Sequence, residues 1–231
     1  MIRRIEIHRI SDGADDDGVS ALAMACRHSG RYIAEVLHSA IGWSVSEGVV
    51  RLVWEHAFAS PEAYRRYMVH PFHADVLDRY LLHDSPERVV TDDELGAGLV
   101  GYHCHQPDFV LARGIRRLVL LRFGGPSWPE AVEALADDGG RAADGVDPMS
   151  VSVMAANSLG SAWFDGVTPM AGPPRWTHLW EQGFAGGGHL RAYLGGDSVL
   201  AQAERRDWQG WSNGVVEGAA SLTYEIDGRR P

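Results

Sequence analysis

The chain has 231 residues, of which 45% are hydrophobic, and its formal net charge at pH 7 is −10. This length suits two domains of about 110 residues each, and the negative charge argues against nucleic acid or an anionic membrane as a partner. No run approaches the roughly 20 apolar residues of a membrane span, and no leader pattern precedes the first strand. Cys26 and Cys104 are too few for a disulfide framework. A cytoplasmic protein with reduced thiols is therefore expected.

The first half of the chain predicts the element order β-α-β-β-α-β. Its clearest helix start is Ser60, an N-cap residue followed by Pro61 and the acidic Glu62. Pro71 should break the following helix, because proline removes a backbone donor. The predicted elements are a strand over 2–10, a helix over 19–28, strands over 32–41 and 49–58, helical pieces over 61–67 and 71–82, and a strand over 99–104.

The second half repeats the first. Residues 115–123 resemble the opening strand 2–10, and Trp54-Glu55-His56-Ala57-Phe58-Ala59 returns as Trp180-Glu181-Gln182-Gly183-Phe184-Ala185. We therefore predict an α+β chain of two tandem ferredoxin-like (β-α-β-β-α-β) units, covering residues 1–106 and 114–231. The elements predicted for the second unit are strands over 115–123, 151–155, 176–184 and 215–226 and helices over 128–137 and 193–206.

Two local differences separate the copies. Gly186-Gly187-Gly188 replaces Ser60-Pro61-Glu62, so the second copy has lost its helix-starting chemistry. The segment 157–174 is longer than such a unit needs, and it is either a lid or a tolerated insertion.

Polar side chains distinguish the first copy from the second. Arg4, Glu6 and His8 share one face of the first strand, since side chains alternate along a strand. In the second copy, Val119 and Leu121 stand at the positions of Glu6 and His8, and Gln182 stands at the position of His56. Because unpaired burial would cost several kcal/mol, such a face forms the polar wall of a cavity, lies exposed to solvent, or has Arg4 paired with Glu6 and His8 at the rim. Any chemistry is therefore expected in the first copy.

The strongest local signal is Tyr67 followed by His70-Pro71-Phe72-His73. A histidine in the first turn of a helix is held neutral by the helix dipole, and a neutral imidazole can act as a general base. Tyr67 could then donate a proton or a hydrogen bond to a developing enolate. The alternative interpretation is architectural: His70 caps the helix and His73 binds a backbone carbonyl.

A metal site is the weaker reading of the remaining histidines. His103 and His105 lie on one side of an extended segment and could join His70 and His73 in a four-histidine site. Such a pair near a strand end is more often solvated, so neither a metal nor another cofactor is predicted. The eight tryptophans are expected mainly in the core, although some could stack on a flat ligand.

The segment from Trp54 through Ala63, with its Tyr-x-x-His-Pro-x-His ending at 67–73, resembles the stress-responsive dimeric α/β barrel (Dabb) family. In that family two ferredoxin-like units close a barrel, so the resemblance implies an intramolecular dimeric α/β barrel, a pseudo-dimer within one chain, and leaves a homodimer open. The first copy is also similar to olivetolic acid cyclase-type polyketide cyclases. That likeness implies that Tyr67 and His73 are the catalytic acid and base.

These observations predict a cofactor-free acid-base enzyme of the cyclase, isomerase or lyase type that acts on a small apolar carbonyl or phenolic compound. A non-catalytic binding protein and a metal- or haem-dependent oxidase are the alternatives. The predicted catalytic residues are His73 and Tyr67, and the predicted substrate-binding residues are Arg4, Glu6, His8, Trp54, His56, His70 and Phe72.

Overall fold

The structure is a computed structural model that describes residues 1–45, 48–92, 95, 99–103, 114–124, 129, 132–133, 149–157, 176–196 and 215–228. The chain is an α+β protein with antiparallel sheets. It divides into two compact units. Unit 1 contains Met1–Pro107, Ser158–Pro173 and Asp227–Pro231, and unit 2 contains Asp108–Asn157 and Pro174–Ile226. Among the helices that the structure describes, none has the length and hydrophobicity of a transmembrane segment.

The sheet of unit 1 is built around its first strand. β1 pairs antiparallel with β3 on one side and with β4 and β5 on the other, and β3 pairs with β2. The strands are β1 (Ile2–Ile10), β2 (Val36–Ser44), β3 (Arg51–Phe58), β4 (Val90–Thr91) and β5 (Leu99–His103). The predicted strands are thus confirmed, with shifts of up to four residues at their ends.

Side-chain caps explain where the first two helices begin. The Asp15 carboxylate accepts a hydrogen bond from the Gly18 N–H at 2.8 Å, so α1 (Asp16–Tyr32) starts three residues before the predicted position. The Ser60 hydroxyl accepts from the Ala63 N–H at 3.2 Å, which confirms the predicted cap of α2 (Pro61–Met68). Sequence periodicity detected the apolar centre of α1 and missed its polar ends.

The helical piece predicted over 71–82 is two elements. A π-helix spans Phe72–Leu77 and continues into the short α3 (Asp78–Leu81). His70 supports the start of the π-helix, since its Nδ1 accepts a hydrogen bond from the Phe72 N–H at 3.1 Å. π-Helical turns are rare and occur frequently at functional sites, so this segment marks a region for closer inspection.

The core of unit 1 lies between one face of the sheet and the helices α1, α2 and the π-helix. Its largest buried members are aromatic, and Cys26 is a buried free thiol, as predicted. Burial of these side chains supplies the main stabilisation of the unit. The core includes Ile2, Val19, Leu22, Cys26, Trp54, Phe58, Tyr64, Tyr67 and Leu77. The opposite face of the sheet carries a buried ion pair between Arg3 and Glu55.

Unit 2 repeats the strand order and the register of unit 1. Its strands run in the order β9-β6-β8-β7, and Ile115 pairs with Phe184 as Ile2 pairs with Phe58. The elements are β6 (Gly114–Phe123), β7 (Met149–Ala156), β8 (His178–Phe184), α4 (Gly187–Gly195) and β9 (Val216–Ile226). Helix α4 begins six residues before the predicted 193. Most of 128–137, most of the segment 157–174 and residues 197–206 lie outside the described residues.

The two helix starts at Ser60 and Gly186 provide a reciprocal test of capping. Ser60→Ala should lower the free energy of unfolding by about 1 kcal/mol, because the Ala63 N–H loses its acceptor. Gly186→Ser should raise it by a few tenths of a kcal/mol, since Gly186 has an extended backbone and open space where a Cβ would lie. Urea unfolding followed by circular dichroism measures both changes, and a stabilised Ser60→Ala variant would contradict the assignment.

Candidate functional site

A buried carboxylate, Glu6, lies at the centre of the polar face of β1. Its Oε1 is 3.1 Å from Arg4 Nη2 and 3.1 Å from His56 Nε2, and its Oε2 is 3.2 Å from His8 Nε2. Arg4 and His56 are directly paired across β1 and β3. We call Arg4, Glu6, His8 and His56 the Glu6 cluster. His56 and His8 therefore point into the same space, and the polar face is buried, with Glu6 only 4% exposed.

The contacts of the Glu6 cluster are ion-pair contacts rather than well-formed hydrogen bonds. Glu6 Oε1 and both imidazole Nε2 atoms lie close to their partners, but the angles are unsuitable for hydrogen bonding. Arg4 makes two further contacts with α2: its guanidinium lies 5.1 Å from the centre of the Tyr64 ring and its Nη1 lies 3.5 Å from the Met68 sulfur. The cluster thus joins the sheet to α2.

Charge and burial set the protonation states of the cluster. Burial alone would raise the pKa of Glu6, but the Arg4 charge and the contacts with His56 and His8 lower this pKa well below its usual value. Burial lowers the pKa of His56 to about 4, an effect that Glu6 partly opposes. At neutral pH the cluster therefore contains an ionised carboxylate, a guanidinium and a neutral His56.

Tyr67 places an unpaired hydroxyl in the core beside two imidazoles. The side chain is fully buried, and its hydroxyl has no hydrogen-bond partner among the described residues. Its ring centre is 4.5 Å from that of His73 and 5.5 Å from that of His56. Burial, and next the charge of Glu6, raise the pKa of Tyr67 well above its usual value, so the phenol is a donor at neutral pH.

His73 lies on the inner side of the π-helix and is 5% exposed. Burial lowers its pKa to about 4, with Glu6 opposing and Arg4 adding to the effect. The backbone of Met68 raises this pKa, which agrees with the backbone contact of the architectural interpretation. The neutral state that we predicted is present, but its main cause is burial rather than a helix dipole.

The remaining predicted residues are placed differently. Trp54 joins the cluster, with its ring centre 4.2 Å from that of His56, and its indole N–H donates to the Ser39 hydroxyl at 2.8 Å. Phe72 stacks on the exposed ring of Tyr32 at 4.5 Å. His70 caps the π-helix. The structure therefore brings Trp54 to the site and turns His70 and Phe72 to other contacts.

Asp78 is the site residue that sequence reasoning missed. Its Oδ2 lies 3.7 Å from His73 Nδ1, and burial, followed by the charge of Glu6, raises the pKa of Asp78 to about 6. Asp78 follows His73 by five positions, and this spacing places side chains on different faces of an α-helix. Only a prediction of the π-helix could have identified this pair.

Unit 2 has the same framework with different polar side chains. Arg117 pairs with Gln182 in the register that joins Arg4 to His56, while Val119 stands in place of Glu6. Gln182 donates a hydrogen bond from its Nε2 to the hydroxyl of Tyr193, the counterpart of Tyr67, at 3.1 Å. The Tyr193 hydroxyl therefore has a hydrogen-bond partner, whereas that of Tyr67 has none among the described residues.

No three side chains of histidine, cysteine, aspartate or glutamate among the described residues converge as metal ligands would. Residues 104 and 105 and the side chain of His103 lie outside the described residues.

A cavity of about 240 Å³ lies on the outer side of the π-helix and is lined by residues that include Met24, Tyr32, Phe72, Val76 and Tyr80.

Solved structures of very low sequence identity share this fold. A provisionally assigned monooxygenase from Fusobacterium nucleatum aligns with a TM-score of 0.63 and 6% identity over 97% of this chain and 91% of that chain. An anthrone oxidase-like protein aligns at 0.60 and 12% identity, over 97% and 90%. Chlorite dismutase from Candidatus Nitrospira defluvii, in complex with imidazole, aligns at 0.53 and 10%, over 97% and 90%. No family model and no curated protein match the chain.

The predicted membership of the stress-responsive dimeric α/β barrel family is therefore wrong, and so is the likeness to polyketide cyclases. No such family model matches, and the structural neighbours are oxidase-like, monooxygenase-like and chlorite dismutase proteins. The motif at 67–73 is short, and its proline and His70 cap reflect how a helix is interrupted here. A motif that marks only a local interruption of a helix carries little information about ancestry.

His56→Gln tests whether His56 is neutral and buried. The folded pKa of about 4 lies below the unfolded value of about 6.5, so the contribution of His56 to stability is complete above pH 6.5 and is lost as the pH drops towards 4. Glutamine cannot titrate and stands at the equivalent position in unit 2. The variant should match the wild type at pH 7.5 within about 1 kcal/mol and exceed it by about 2.5 kcal/mol at pH 4.5.

Urea unfolding at a series of pH values measures this difference. His83→Gln is the matched control, because the His83 side chain is exposed, and its profile should follow the wild type. Parallel pH profiles for His56→Gln and the wild type would contradict the assigned state of His56.

Proposed function

We propose that unit 1 oxidises a small phenolic or enolisable compound with dioxygen, using His73 as the base. The supporting observation is the juxtaposition of a neutral His73 with the unpaired hydroxyl of Tyr67 beside the Glu6 cluster. A neutral imidazole accepts a proton from an acidic carbon, and a phenol donates a hydrogen bond to the oxygen on which negative charge develops. Acid-base chemistry on a small apolar molecule, predicted from the sequence, is compatible with this arrangement.

The proposed reaction converts a CH₂ group beside a conjugated carbonyl into a second carbonyl. His73 removes one proton, and the Tyr67 hydroxyl stabilises the resulting enolate. The carbanion passes one electron to dioxygen, and the carbon radical combines with the superoxide to form a peroxide anion. This anion takes a proton from water and becomes a hydroperoxide. Loss of water from the hydroperoxide leaves the carbonyl, so that CH₂ and O₂ yield C=O and H₂O.

The structural neighbours favour oxidation over the cyclisation that we predicted. Two of them are a provisionally assigned monooxygenase and an anthrone oxidase-like protein. Anthrone has an acidic CH₂ group opposite its carbonyl, which is the substrate chemistry that a neutral base and a phenol would serve. The likeness supports the reaction class only through the fold, because one fold hosts many functions.

A haem- or metal-dependent oxidase was an alternative prediction, and the oxidase-like and chlorite dismutase neighbours favour it over the predicted cyclisation. In unit 1, His56 and His8 are not placed as ligands of such a centre. The rings of Trp54, Phe58 and Tyr67 surround His56 with centres 4.2–5.5 Å away, so the space beside this imidazole is filled. His56 and His8 both face Glu6. An absorbance spectrum and a metal analysis of the purified protein test this alternative directly.

We also propose that the two units arose by duplication of a ferredoxin-like unit. The support is the shared strand order and the equivalent pairing of β1 with β3 and of β6 with β8. The proposal explains why Gln182 and Val119 occupy the positions of His56 and Glu6 in an otherwise similar frame. Barrel closure within one chain remains a prediction.

Tyr67→Phe and Tyr193→Phe separate catalysis from stability. Tyr67→Phe should lower turnover about 100-fold, because the enolate loses its donor, and should leave the melting temperature unchanged or raised, since the hydroxyl is unpaired. Tyr193→Phe should keep turnover and lower stability by about 1–2 kcal/mol, because buried Gln182 loses its acceptor. Oxygen uptake with anthrone and thermal melting measure the two effects.

The wild type and a protein-free sample with anthrone set the upper and lower limits of the oxygen uptake. If the wild type does not exceed the protein-free rate, the proposed function is wrong. If both tyrosine variants lose turnover equally, the assignment of the reaction to unit 1 is wrong.

A further inference from the structure

The carboxylate of Asp78 lies between the buried His73 and solvent. Asp78 Oδ2 is 3.7 Å from His73 Nδ1, an atom with no hydrogen-bond partner among the described residues. The Asp78 side chain is 24% exposed, whereas that of His73 is 7% exposed. A proton on His73 therefore has a short path to water through Asp78.

The π-helix produces this juxtaposition. In an α-helix, residues five positions apart lie about 140° apart around the axis, because each residue turns the chain by about 100°. In the π-helix the hydrogen bond joins residues five apart, and the Asp78 N–H donates to the His73 carbonyl. The wider turn thus stacks the two residues on one side of the helix.

Burial favours movement of the proton from His73 to Asp78. Burial lowers the pKa of His73 to about 4 and raises the pKa of Asp78 to about 6. A single proton shared by the pair therefore resides on Asp78. The titratable and charged groups that face the pair are Arg4 and Glu6 from β1, His56 from β3, Tyr67 from α2, and His70.

We propose that Asp78 is a positioning residue for His73: Asp78 orients the His73 imidazole and carries the proton of His73 to solvent. This inference rests on the proposed role of His73 as the base. An imidazolium holds one proton on each nitrogen, so the ring accepts the substrate proton at one nitrogen and releases the other from Nδ1. The Asp78 carboxylate takes that proton and passes it to water, which returns both side chains to their starting states.

Asp78→Asn tests the relay, with Asp75→Asn as the matched control. Both residues lie on this helical segment, but Asp75 is exposed and outside the site. Asp78→Asn keeps the shape and cannot take up a proton, so anthrone-dependent oxygen uptake at pH 8 should fall on the order of tenfold. Asp78→Glu, which retains a carboxylate, should recover part of the loss, and Asp75→Asn should retain the wild-type rate.

A nuclear magnetic resonance titration of the histidine ring nitrogens tests the pair without any turnover. In the wild type the His73 signals should change near pH 6, as Asp78 titrates, and this change should persist in Asp75→Asn and vanish in Asp78→Asn. A change near pH 6 that survives in Asp78→Asn, or that is absent from the wild type, overturns the inference. If the wild type shows no anthrone-dependent oxygen uptake but the titration gives the expected result, the proposed function is wrong and the pairing of Asp78 with His73 stands.

Discussion

The structure of unit 1 depends on one constraint: the ionised carboxylate of Glu6 is buried in an aromatic core and must be compensated there. Removing such a charge from water costs several kcal/mol unless a partner and further polar contacts offset it. Arg4 supplies the opposite charge from the same strand, and His56 supplies a second contact from β3. Because these contacts require the observed register of β1 and β3, the cluster specifies how the central strands pair as well as what chemistry they can perform.

Unit 2 shows what the same backbone does without the carboxylate. With Val119 in place of Glu6, the neighbouring polar groups find ordinary partners: Gln182 binds Tyr193, and Arg117 donates to the Ser221 hydroxyl at 3.1 Å. The contrast separates the frame from the function. Unit 2 has the strand order and register of unit 1 without these histidines, so the fold does not need the buried imidazoles of unit 1.

The sequence predicted the strands, the cap at Ser60 and the polar face of β1, because each has a local signal: alternation, a capping residue, or a polar side chain where the repeat has an apolar one. It did not predict the contact between His8 and His56 through Glu6, which depends on strand pairing. Nor did it predict the π-helix, since Pro71 signals an interruption and not the geometry that follows. Asp78 escaped notice for that reason, and family membership was misjudged from a seven-residue motif.

In the proposed reaction, burial keeps His73 neutral as the base and also limits how charge can move within the site. Arg4 and Glu6 balance each other, so an enolate formed beside them adds one uncompensated negative charge to a region of low dielectric. Protonation of His73 in the same step restores the balance, because the new anion and the new imidazolium arise together. Transfer of that proton to Asp78 before the substrate is oxidised would leave the anion with a weaker partner. Oxidation moves the negative charge to the peroxide anion, so the proposed relay is useful only after that anion has taken up a proton. The low exposure of His73 keeps water from removing the His73 proton earlier.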